Sequence, residues 1–224
     1  MKGCKRLLYE LQRSCIRLYC NSFIDFRVYG KNNIPPGPKI FYSNHLCSYD
    51  PLYASIIMHD PIHMILKDGF NIPIIRKLLS FTEQINALPK ERSNVVNLAV
   101  SYLNKGQSIY IFPEGSLTKN PNKLNTFYAG IARIAQQHNA AIIPIALYAL
   151  DRDMKIKKSS RFQQNRDDQT KTILTGRYSA QVGKSVNITN TQKKDIKLTL
   201  NKLEEELLFN LSELKLKHNN PLIK

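Results

Sequence analysis

The chain has 224 residues, 42% of them apolar and 22% charged, enough to bury a single core and too apolar for wholesale disorder. Thirty-three Lys and Arg against seventeen Asp and Glu leave a net charge of +16, so the expected partner is anionic: nucleic acid, a phospholipid surface or a phosphorylated substrate. Four cysteines without paired spacing suit free thiols in a reducing compartment better than a disulfide framework, and the longest nearly uncharged stretch, residues 33–61, is too rich in Pro, Asn and Tyr to span a bilayer.

In chain order, residues 2–20 carry an amphipathic helical pattern. Cys4, Leu7, Leu8, Leu11, Cys15 and Leu18 recur at helical spacing, with Lys2, Arg6, Arg13 and Arg17 on the other side. Such a helix either packs on its own domain or lies on anionic lipid headgroups, and the pattern alone fits both. Residues 1–24 are therefore set apart as an N-terminal arm. Short apolar runs at 26–29, 40–43, 63–66, 84–88, 108–112 and 141–147 predict strands, and the segments 51–58, 73–80, 93–103 and 127–138 between them predict helices. Strands alternating with helices predict an α/β fold with a mostly parallel central sheet, whose ligands bind beyond the carboxyl ends of the strands. Residues 150–171 read as a polar, mobile loop, a strand pair is expected around 173–186, and a helix rich in Leu, Lys and Glu should run over about 191–217. No internal repeat is present.

Three constellations fall just past predicted strands. In the first, His45 and Asp50 are five residues apart across a strand-to-helix turn, where the carboxylate can fold back on the imidazole and free its second nitrogen to take a proton. Asp50 before Pro51 reads equally well as a helix cap followed by a first-turn proline. The second runs from Phe112 through Pro113, Glu114 and Gly115 to Ser116. Glu114 there suits positioning of a polar group, and the N–H groups near Gly115 suit an anion or a developing oxyanion; a plain turn is the alternative. The third is Lys90, Glu91 and Arg92, either a phosphate grip or a solvated charge cluster. If the strands are parallel, all three share one rim.

These blocks resemble the lysophosphatidic acid acyltransferase family, the 1-acyl-glycerol-3-phosphate acyltransferases and their glycerolipid relatives, over about residues 26–148. The family's H-x4-D block resembles His45 to Asp50, preceded by Asn44, and its phosphate-binding block resembles residues 86–92. Its F-P-E-G-(S/T) block is present in full at residues 112–116, and its last apolar block around a proline resembles residues 142–145, centred on Pro144. Residues 27–35 resemble the family's lead-in. Three positions depart from the family pattern. Cys47 stands where Ser is usual, Leu117 where an Arg usually follows the second block, and Tyr128 where a basic residue often precedes the later glycine; Lys119 is the nearest cation to Leu117.

The resemblance implies an acyltransferase domain over residues 25–224 and acyl transfer from acyl-CoA or acyl-carrier protein to the hydroxyl of a lysophospholipid, giving phosphatidic acid if the acceptor is 1-acylglycerol-3-phosphate. His45 and Asp50 would be catalytic. Arg92, Glu114, Gly115, Ser116, Lys90 and Lys119 would bind substrate. Neither a metal nor a cofactor is expected, and the place of work would be the cytoplasmic face of an anionic membrane, peripherally bound. Cys47 as a nucleophile is the weaker alternative. His59 and His63 share metal-like spacing, but Pro61 breaks the helix that would align them. A nucleic-acid-binding protein would explain the charge, yet no recognisable binding motif or basic-aromatic run is present. A non-catalytic lipid binder would have no need of the His45–Asp50 pair.

Overall fold

The computed structural model describes residues 2–120, 123–158 and 169–220. Seven strands form the central sheet: β1 (Ile24–Tyr29), β2 (Lys39–Ser43), β3 (Ile62–Leu66), β4 (Ile85–Asn86), β5 (Ser108–Ile111), β6 (Ala141–Ala149) and β9 (Gly176–Val182), in the order β1-β9-β6-β2-β5-β3-β4. Only the β6–β9 pair is antiparallel; β6, β2, β5, β3 and β4 all run the same way. The loops after β2, β4 and β5 therefore leave one rim.

Both faces of the sheet are covered, which explains the nearly continuous apolar runs of its central strands. Alternation divides them. Phe41, Tyr110, Ile143 and Ile145 point into one core together with Tyr53, Ala54 and Ile57 of helix α2 (Asp50–Ile57). Ile40, Tyr42, Ile109, Ile111 and Ile142 point into the other. There they meet Leu103 of α4 (Val95–Asn104) and Ile131 and Ile134 of α5 (Gly130–Gln137), and further on Leu203, Leu207 and Leu214 of α7 (Ile196–Asn219). Asp195 caps α7 by accepting from the N–H groups of Lys197 and Leu198. A short helix, α6 (Asn190–Lys194), precedes it, so the predicted C-terminal helix is interrupted once.

Two expectations need correction, and one residue of the N-terminal helix lies on the other side from its pattern. Helix α1 (Gly3–Phe23) packs with Tyr9, Arg13 and Cys20, not with the leucine stripe. Leu7, Leu11 and Leu18 are exposed, while Arg13 is 1% exposed and donates to the carbonyls of Met58 and His59. Arg13, read with the polar side of the helix, thus faces the domain, its guanidinium held by these carbonyls and by Glu10. The stretch read as a loop at 150–171 instead holds an antiparallel hairpin of β7 (Lys155–Lys158) and β8 (Gln169–Thr172); residues 159–168 of it lie outside the described residues. In place of a strand pair around 173–186 there is one strand, β9, and an isolated bridge between Ile142 and Val186. Helix α3 (Pro73–Phe81), which links β3 to the edge strand β4, buries no residue. No helix among the described residues is long and apolar enough to cross a membrane.

Candidate active site

At the end of β2 the chain leaves the sheet ladder, and the amide of Asn44 replaces it by exchanging two hydrogen bonds with Leu147 of β6, at 2.9 and 2.8 Å. His45 follows at the rim. Its Nδ1 lies 2.9 Å from Oδ2 of Asp50, whose carboxylate is fully buried. That carboxylate also accepts from the N–H of Cys47 at 2.8 Å, the Tyr178 hydroxyl at 2.8 Å and the Cys47 thiol at 3.1 Å. All of these donors lie outside the first turn of α2, whose preceding residue is Tyr49, so Asp50 is turned toward the imidazole and does not cap the helix.

With Nδ1–H directed at a buried carboxylate, the imidazole is held in the tautomer whose Nε2 accepts a proton. The ring stacks on Phe112, centroids 4.3 Å apart, and 19% of the side chain remains exposed. Burial, reinforced by the Asp50 carboxylate, pushes the Cys47 thiol well above its usual range. A neutral thiol is a poor nucleophile.

The loop after β5 clamps the backbone of His45. Glu114, 2% exposed, accepts from the His45 N–H at 3.0 Å and the Thr118 hydroxyl at 2.7 Å on one oxygen, and from the Asn125 N–H at 2.7 Å on the other. Burial raises its carboxyl above the ordinary range, against the pull of those donors. The Thr118 N–H in turn donates to the His45 carbonyl at 2.6 Å. Gly115 sits at φ +63°, and a Cβ there would strike the Tyr128 ring at 2.7 Å, so glycine is required twice over. Its N–H is taken up by the Phe112 carbonyl at 3.0 Å, which removes it from the donors open to an anion.

Arg92 arrives from the third loop. It is exposed, and its guanidinium carbon lies 5.3 Å from the centre of the Tyr128 ring. Tyr128 thus joins Arg92 to Gly115, where the resemblance led one to expect a cation. Lys90, Ser116 and Lys119 are exposed along the same loops. Among the described residues no cluster of His, Cys, Asp and Glu is arranged to hold a metal ion. His63 instead is buried against Tyr102, with Nδ1 2.8 Å from the Glu83 carbonyl, and burial lowers its pKa. Thr118, Asn125 and Tyr178 had no signal in the sequence: each is an ordinary polar residue brought in by packing.

The Acyltransferase family model matches residues 25–148, more than half of the chain. The chain belongs to the Acyltransferase family. Within that family it is 28% identical over 131 residues to a chloroplastic 1-acyl-sn-glycerol-3-phosphate acyltransferase of Arabidopsis thaliana, covering 56% of this chain and 36% of that protein. It is also 28% identical over 151 residues to a 1-acyl-sn-glycerol-3-phosphate acyltransferase of Borreliella burgdorferi, covering 64% and 59%. The chain thus spans between about a third and three-fifths of these relatives. The crystal structure of a 1-acyl-sn-glycerophosphate acyltransferase from Thermotoga maritima superposes with a TM-score of 0.59 at 16% identity, covering 92% of this chain and 84% of that one. That likeness shows a shared acyltransferase fold.

Proposed function

We propose that the protein transfers a fatty acyl group from an acyl thioester, acyl-CoA or acyl-carrier protein, to the free hydroxyl of a lysophospholipid. The acceptor is 1-acylglycerol-3-phosphate and the product phosphatidic acid, as in the names of its relatives. The reading rests on one observation above all: an imidazole at the rim, Nδ1 held 2.9 Å from a buried carboxylate, its ring partly open to solvent. A glycerol hydroxyl is a poor nucleophile until its proton is removed. His45 Nε2 takes that proton as the oxygen attacks the thioester carbonyl, and Asp50 stabilises the imidazolium. As the tetrahedral intermediate collapses, the C–S bond breaks and the imidazolium returns the proton to the departing thiolate. Neither an acyl-enzyme nor a metal is needed. Arg92 grips the acceptor phosphate, with Lys90, Ser116 and Lys119 near it, while Glu114 holds the loop behind His45.

The same reading places the protein on an anionic membrane, at its cytoplasmic face. Leu7, Leu11 and Leu18 are 60–72% exposed on α1, with Arg6 and Arg17 exposed on the same helix, which suits an interfacial arm over residues 1–24. The test is acyl transfer to a panel of lysolipids from both donor types, read by mass spectrometry, with His45→Ala beside the parent. A loss of at least about a hundredfold in the variant, with unchanged thermal unfolding, is expected for a missing general base. Near-parental turnover would sink the assignment.

A further inference from the structure

The family match ends at residue 148, yet a segment well beyond it is fastened to the catalytic loops. The Ser48 N–H donates to the Lys171 carbonyl at 2.9 Å, and the Tyr53 hydroxyl donates to the Ile173 carbonyl. The Tyr19 hydroxyl donates to the Leu174 carbonyl at 2.6 Å. These contacts fix the backbone from which the Lys171 side chain springs. Its Nζ then reaches the loop after β5 and donates to the Thr118 carbonyl at 2.7 Å. Thr118 is the residue whose N–H holds the His45 carbonyl.

Lys171 is half-buried, and among the described residues no carboxylate pairs with it. Glu114, the acidic group of that loop, is already engaged through both oxygens. An ammonium partly withdrawn from water and satisfied, among the described residues, by one neutral carbonyl retains two donors and a charge that favours an anion beside it. In the hairpin register Lys171 stands opposite Ile156, 57% exposed, so one face of the hairpin pairs a cation with an aliphatic side chain. That combination suits an amphiphile with a charged head. Arg92 approaches the same loop at Gly115, through Tyr128, three residues from the point Lys171 touches.

We propose that Lys171 is a specificity-determining residue: a second cationic contact for the acceptor phosphate, favouring lysolipids that carry a phosphomonoester over zwitterionic ones. The inference rests on the acceptor class proposed above. Its test compares the full chain with Lys171→Met and Lys171→Arg, using 1-acylglycerol-3-phosphate and lysophosphatidylcholine as acceptors. Lys171→Met should raise KM for the phosphomonoester about tenfold, the scale of one charge-assisted hydrogen bond, with kcat within about twofold. Lys171→Arg should restore most of that affinity, and KM for the zwitterionic acceptor should not move. An equal change with both acceptors, or a fall in kcat at constant KM, would show a loop staple without phosphate contact and overturn the inference. Should Lys171→Met fail to fold, Lys171→Gln is measured in the same way: a KM raised for the phosphomonoester alone supports the inference, and KM values unchanged or raised equally for both acceptors overturn it. A parent that acylates no lysolipid would instead remove the proposed function itself.

Discussion

The floor of the site and its rim hold their charges in opposite ways. Asp50 and Glu114 are at most 2% exposed, and each carboxylate is surrounded by donors from three or more residues. Arg92, Lys90 and Lys119 are exposed, and among the described residues Arg92 is held by the face of the Tyr128 ring. The floor is preorganised for a fixed chemistry, since buried charges with a full set of donors move little. The rim is left adaptable, and differences between acceptors are therefore expected to arise there.

The sharpest way to break this comparison is at Asp50. Asp50→Asn places an amide against Nδ1 and lets the imidazole adopt the other tautomer, so kcat should fall at least about a hundredfold while acceptor KM changes little. Steady-state kinetics decide it, and an equal rise in KM would mean the floor also binds substrate. Next in size is Glu114→Ala, which leaves the N–H groups of His45 and Asn125 and the Thr118 hydroxyl without their acceptor. A loss of about 1–3 kcal/mol in unfolding free energy is expected, the cost of buried unpaired donors, measured by urea denaturation. An unchanged midpoint would mean that water replaces the carboxylate. The smallest effect belongs to the rim. Tyr128→Leu removes the ring under Arg92 and should raise acceptor KM about two- to fivefold, in line with an exposed cation–π contact, whereas Tyr128→Phe should match the parent. Equal KM values in all three would detach Tyr128 from Arg92.

Much of this was determined by the sequence alone. Short apolar runs alternating with helical patterns sufficed for a mostly parallel sheet, because a strand buried on both faces and its flanking helix each leave their own pattern in the chain. That in turn placed the His45, Arg92 and Glu114 loops at one rim, since parallel strands point their ends the same way. Local spacing allowed His45 and Asp50, five residues apart, to pair across one turn, with a helix cap as the alternative, and the resemblance to the family's blocks favoured the pair. Tertiary structure alone decided the rest. Tyr178 meets Asp50 across 128 residues, and Lys171 meets Thr118 across 53. In α1 the pattern fitted both a packed and an interfacial helix, and only tertiary contacts turned Arg13 inward to the carbonyls of Met58 and His59 while Leu7, Leu11 and Leu18 face solvent. Periodicity records which side chains are apolar, whereas the partners of a buried polar group depend on which distant segment arrives beside it.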